Sequence, residues 1–87
     1  MEFIGDEIEV RRQGAGGPPA SFVWRGTEYD VAQVRRKWRK LDFRRSWWQR
    51  RHRDHFVVRT TSDEVFELYF HRGPGRRYWV LYKRLEE

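Results

Sequence analysis

The sequence predicts an all-β, mainly antiparallel domain of about six short strands. Three observations lead there. Short runs alternate apolar and polar residues, as half-buried strands do. Clusters of turn-forming residues punctuate these runs. The chain of 87 residues is rich in rings, with fifteen aromatics making up 17% of it, and comparatively poor in aliphatics. Large rings cover about 150–250 Å² each, so a small fold can build a thin core from them.

Taken in order, Glu7 to Arg11 alternates and reads as the first strand. Residues 13–19, Gln-Gly-Ala-Gly-Gly-Pro-Pro, form a loop by composition, with mobility expected. Ser21–Trp24 and Glu28–Val31 flank Arg25-Gly26-Thr27, a short glycine-containing turn, so the pair reads as a β-hairpin. Phe22, Trp24, Tyr29 and Val31 would share its buried face. Val34 to Trp38 then fits a strand continuing after a bulge at Ala32-Gln33, while a single helical turn across residues 34–41 also satisfies the spacing of Val31, Val34, Trp38 and Leu41. Residues 41–54 read as a long basic connection. His55–Thr60, Val65–Phe70 and Arg77–Arg84 follow, joined by turns at Thr61–Glu64 and His71–Arg76, as a three-stranded meander. By parity, Phe56, Val58, Phe66, Leu68, Trp79 and Leu81 form the core face. Val57, Arg59, Val65, Glu67, Tyr69, Tyr78, Val80 and Tyr82 form the other. A hairpin plus a meander in so short a chain implies a strongly bent sheet or small barrel, and a single domain over residues 1–87.

Charge is unevenly spread. Between Arg35 and Arg53 there are ten basic residues and one acid, a local net of +9, whereas the rest of the chain has a net of −3. Such an asymmetry points to a polyanionic partner. There is no cysteine, which excludes disulfides and thiolate metal sites. The acidic first residues lack the pattern of a signal peptide, and no apolar run is long enough to cross a bilayer, so a cytoplasmic protein without a membrane role is expected.

The motifs Ile8-Glu9-Val10, Gly17-Pro18, Phe22-Val23-Trp24-Arg25-Gly26 and Tyr29-x-Val31-x-x-Val34-x-x-x-Trp38 resemble, in this order, a family of small bacterial domains of unknown function. So do Trp47-Trp48 with the basic run after it, Phe56–Thr60, Val65–Tyr69 and Trp79–Tyr82, and the likeness runs from about Phe3 to Leu85. The Trp-Trp pair, the aromatic-x-Val-x-Thr strand, the Leu-aromatic strand and the terminal Trp-x-Leu strand are also similar to the C-terminal segment of catalytically inactive Y-family DNA polymerase homologues of damage-induced mutagenesis cassettes. The resemblance implies a role beside DNA or a replication protein, and carries over no catalytic residue. Lys83 to Glu87 departs from the usual ending, where an aromatic-acid pair is common.

Candidate site residues follow from charge and rings. Arg35, Arg36, Arg39, Lys40, Arg44, Arg45, Arg50, Arg51 and Arg53 would contact phosphate, with a ring of Trp47 or Trp48 stacking on bases. Trp38 and one of Trp47 and Trp48 are expected inside, since so small a domain needs them there. Tyr69, Tyr78 and Tyr82, near Arg59 and Arg77, form a second candidate platform. The competing expectation, for at least two of the three, is that the N-terminal hairpin packs over this face and closes the barrel. His52, His55 and His71 match no ligand signature and lie among arginines, so no metal is expected. Nor is any cofactor, and no nucleophile–base pattern suggests an enzyme. The expected function is therefore non-catalytic, low-specificity nucleic-acid binding, DNA in preference to RNA, linked to DNA repair or translesion synthesis. The alternative is a protein-interaction module docking on a polymerase, clamp or recombinase through its aromatic face. The chain would act as a monomer or homodimer.

Overall fold

A computed structural model of the chain describes residues 1–41, 52–73 and 75–86. Six strands follow one another: β1 (Glu2–Arg12), β2 (Pro19–Trp24), β3 (Thr27–Lys40), β4 (Arg53–Thr60), β5 (Val65–His71) and β6 (Tyr78–Leu85). Each pairs antiparallel with the next, and β6 returns to β1, so the hairpin and the meander belong to one closed six-stranded barrel, as expected. The described residues contain no helix, and so none long and apolar enough to cross a membrane.

Local chemistry sets the turns. Arg25 and Gly26 form the two-residue link between β2 and β3, both with positive φ (51° and 79°). That geometry matches the right-handed twist of the flanking strands. Asp63, at φ 66°, takes the left-handed position of the β4–β5 turn, where Thr60 N–H donates to the Glu64 carbonyl at 2.8 Å. In β1 the register to β6 shifts between Phe3 and Asp6, and Gly5 sits in the irregularity at φ 72°. A Cβ there would stand 3.1 Å from the Phe3 ring.

The barrel interior is filled mainly by rings. Ile8, Phe22, Trp24, Phe56, Val58, Phe66, Leu68, Trp79 and Leu81 form the buried cluster, with Tyr29, Val31 and Val34 packed against it. Phe66 is edge-on to Phe22 (5.6 Å), Trp24 (6.0 Å) and Tyr29 (5.6 Å). A second group joins Trp79 to Phe56 (5.5 Å) and Phe70 (5.0 Å). A guanidinium lies against each group. Arg12 stands 5.2 Å from the rings of both Phe70 and Trp79 and donates to the carbonyl of Gly17 at 2.6 Å. Arg84 stands 5.5 Å from Trp24 and 5.4 Å from Phe66, with Glu2 and Glu64 as ion-pair partners.

The parity reading holds for every residue it placed in the core of β4–β6 and for Phe22, Trp24, Tyr29 and Val31 of the hairpin. The strand continuing after a bulge is also present: residues 34–40 are strand, with a register shift between Val31 and Gln33, and the alternative helical turn does not form. Two expectations change. The first strand is longer than its alternating stretch, running from Glu2 to Arg12. The connection after β3 is shorter than 41–54, because Arg53 and Asp54 already belong to β4.

Candidate nucleic-acid interface

The site begins with a mismatch in strand length. β2 has 6 residues and β3 has 14. Pairing between them ends at Ser21–Asp30, whereas β4 follows β3 as far as Lys40–Arg53. From Val31 to Lys40, therefore, β3 has β4 on one side and, among the described residues, no strand on the other. Arg35, Arg36, Lys37, Arg39 and Lys40 all lie on this overhang and all are exposed.

Two bulges fix which way these side chains point. The register shifts between Val31 and Gln33, and again between Val34 and Arg36. After the second shift, Lys37 and Arg39 pair with Phe56 and Asp54 on the interior side, while Arg36, Trp38 and Lys40 pair with Val57, His55 and Arg53 on the outer side. Lys37 accordingly lies 5.7 Å from the Phe56 ring. Asp54 takes two cations, with its Oδ1 3.2 Å from both Arg39 Nε and Arg72 Nε. Arg36, Lys37 and Lys40 have no carboxylate at ion-pair distance among the described residues. The overhang thus keeps a large excess of positive charge.

On the outer side a row of rings crosses the sheet, one from each of five neighbouring strands. Phe3 of β1 meets Tyr82 of β6 edge-on at 5.4 Å, Tyr82 meets Tyr69 of β5 at 5.8 Å, and Tyr69 meets His55 of β4 at 5.4 Å. Trp38 of β3 completes the row, stacked on His55 at 5.1 Å with the planes 8° apart. Four strand spacings make the row about 19 Å wide. Its ends are the accessible parts, Phe3 being 67% and Trp38 37% exposed, whereas His55 is buried. Cations border it: Arg36 lies 5.5 Å from the Trp38 ring, Arg53 4.5 Å from Tyr69 and Lys83 5.1 Å from Tyr82.

Beneath the row is a buried polar pair. His55 Nδ1 stands 3.1 Å from Glu67 Oε2, and Lys83 Nζ stands 3.7 Å from the other carboxylate oxygen. A carboxylate accepts, so Nδ1–H is the donor and Nε2 carries the lone pair. Nε2 is buried and has no hydrogen-bond partner among the described residues. Burial holds His55 below the usual histidine range; the Glu67 hydrogen bond and charge oppose this, and the charges of Arg53 and Lys40 add to it.

Of the predicted site residues, the structure brings together Arg35, Arg36, Arg39, Lys40 and Arg53. They are strand residues of one β-ribbon, and Arg53 belongs to β4 rather than to the connection. Arg39 is partly neutralised by Asp54. Arg44, Arg45, Trp47, Trp48, Arg50 and Arg51 lie outside the described residues. Trp38, expected inside, faces outward, because the second bulge puts it in register with His55. The N-terminal hairpin, β2 and β3, helps close the barrel but does so as part of its wall, between β1 and β4, and does not overlie the tyrosine face. Tyr69, Tyr78 and Tyr82 are half-buried, and Tyr78 packs on His71 at 5.0 Å rather than joining the row. His55, Glu67 and Lys83 were missed as a unit. The turn at Thr61–Glu64 fixes the β4–β5 register and could have placed Glu67 one step from His55. Among the described residues, no three His, Cys, Asp or Glu side chains are grouped to hold a metal.

The chain belongs to a family described as a domain of unknown function (DUF6504), whose family model matches residues 1–86. Comparison with curated proteins and with solved structures gives no match.

Proposed function

We propose that this domain is a non-catalytic nucleic-acid-binding module that holds single strands with little sequence specificity, DNA in preference to RNA. The observation that carries this reading is the β3 overhang, where Arg35, Arg36, Lys37, Arg39 and Lys40 are exposed around a half-exposed Trp38. Phosphates neutralised by such cations give affinity that is independent of sequence and falls with salt. Rings beside a cationic track give bases something to stack on, which a duplex with its bases already stacked cannot use as well. Of the residues on this ribbon, Arg35, Arg36, Arg39, Lys40 and Arg53 are assigned to phosphate, together with Arg44, Arg45, Arg50 and Arg51 of the adjoining segment, whose Trp47 and Trp48 are assigned to stacking.

A setting in DNA repair or translesion synthesis is supported by the likeness of the strand motifs to the C-terminal segment of inactive Y-family polymerase homologues. A second reading, docking on a polymerase, clamp or recombinase, is favoured by one observation: the side of β3 away from β4 has no strand partner among the described residues, and such an edge accepts an extended segment. Fluorescence anisotropy with labelled single-stranded and duplex oligonucleotides across a salt series separates these readings. Tighter binding to the single strand, weakening as salt rises, is the expected result. No binding of either at low salt rejects the nucleic-acid function.

A further inference from the structure

The row of rings contains one member that can change its charge near neutral pH, and it is the one on which Trp38 rests. We propose that His55 is a protonation switch for Trp38: acidification lifts the indole from the imidazole and strengthens the hold of the β3 face on a single strand. The second half of this statement rests on the nucleic-acid reading above; the first half stands without it.

In the stacked arrangement the His55 ring is enclosed from four strands. Trp38 and Lys40 face it from β3 and Arg53 from its own strand. Glu67 and Tyr69 approach from β5 and Tyr82 from β6, with Lys83 behind Glu67. Neutral His55 suits this enclosure, because its single N–H has an acceptor and its bare nitrogen needs none absolutely. The imidazolium does not. Its new Nε2–H has no acceptor among the described residues, and a buried unpaired charged donor is costly. Glu67 favours the added charge, but Lys83 already shares that carboxylate, and Arg53 and Lys40 repel it. The least costly response is to admit water to Nε2. Trp38 is half-exposed at the end of the row and on a stretch of β3 with no strand on its other side among the described residues, so it is the neighbour most able to move. Once displaced, its face is open to a base, and the imidazolium adds one positive charge under the phosphate track. Both effects act in the same direction.

NMR on the free protein tests the switch. The His55 ring C–H signals should titrate with a midpoint below 6.5, and the Trp38 indole N–H signal should move with the same midpoint. In Glu67→Gln, which removes the favouring charge while keeping the shape, both midpoints should fall together. In His55→Phe, which keeps a ring under the indole, the Trp38 signal should not respond to pH over this range. A Trp38 signal that ignores the His55 titration, or a Glu67→Gln midpoint that does not move, overturns the proposal. Affinity for an oligothymidylate, whose bases do not titrate between pH 5 and 8, tests the consequence. It should rise several-fold with acidification in the native protein and much less in His55→Phe. If the two signals titrate together but no oligonucleotide binds at any pH, the switch is supported and the nucleic-acid function is rejected.

Discussion

The indole N–H of Trp24 donates to Asp6 Oδ2 at 2.8 Å. This bond ties the last residue of β2 to a part of β1 that β2 no longer accompanies, since their pairing stops at Glu9–Val23. Arg25 Nε stands 3.5 Å from the same oxygen, and its guanidinium lies 4.7 Å from the Trp24 ring. Asp6 therefore holds the end of β2 against β1 beyond the last backbone pair. Asp6→Ala leaves a buried indole donor without its acceptor and should cost about 1–3 kcal/mol, read from the midpoint of urea unfolding.

Phe66 is fully buried and meets three other rings. Truncation of such a side chain costs about 3–5 kcal/mol, from the transfer energy forgone and the cavity left behind. A domain of this size has little more than that in hand. Phe66→Ala should therefore be largely unfolded at 37 °C by circular dichroism, whereas Val23→Ala, at an exposed position of β2, should stay folded.

Stability should depend on pH through His55. Its folded pKa lies below its unfolded value near 6.5, so between the two the unfolded chain binds more protons. The contribution is present above pH 6.5 and is lost as pH falls through 6.5 towards the folded value. Thermal melting followed from pH 7.5 to 5 should show a decline that His55→Phe flattens. A decline of equal size in the variant would assign it to other groups.

Arg36 and Lys40 have no carboxylate partner among the described residues and point outward from the overhang. Replacing both with Gln should leave folding stability within about 0.5 kcal/mol. Single-strand binding should weaken, and the slope of log affinity against log salt should become shallower by roughly one for each phosphate no longer neutralised. Trp38→Ala should instead weaken binding by about 1–3 kcal/mol with little change in that slope, because stacking releases no counterions.

Much of the fold was legible because a strand's period of two separates its faces cleanly. Phe56, Val58, Phe66, Leu68, Trp79 and Leu81 needed nothing beyond parity. Gly26 announced the turn between β2 and β3, whereas the positive φ of Arg25 beside it had no cue, since that residue type does not favour it. The outward position of Trp38 was not legible. Each bulge inserts one residue and reverses the parity after it, and Ala32-Gln33 gave a visible cue whereas Arg35, between Val34 and Arg36, gave none. A tryptophan in so small a domain reads as core on grounds of area, and the second bulge overrides that. The His55–Glu67 contact was hidden for another reason. It joins residues 12 apart on neighbouring strands, so it exists only once the hairpin register is fixed. The strand count pointed to a strongly bent sheet or small barrel; what decides between them is β1 meeting β6, a pairing between opposite ends of the chain that no local pattern encodes.

The two arginines set against the interior rings bear on what kind of partner this fold can serve. Many barrels are containers, and carry a cargo in a bore lined by their inward side chains. Here Phe22, Phe56, Phe66, Trp24 and Trp79 occupy that bore, with Arg12 laid over one group of rings and Arg84 over the other like stoppers. Such a molecule is a spool rather than a vessel: what it handles must be met on the outside.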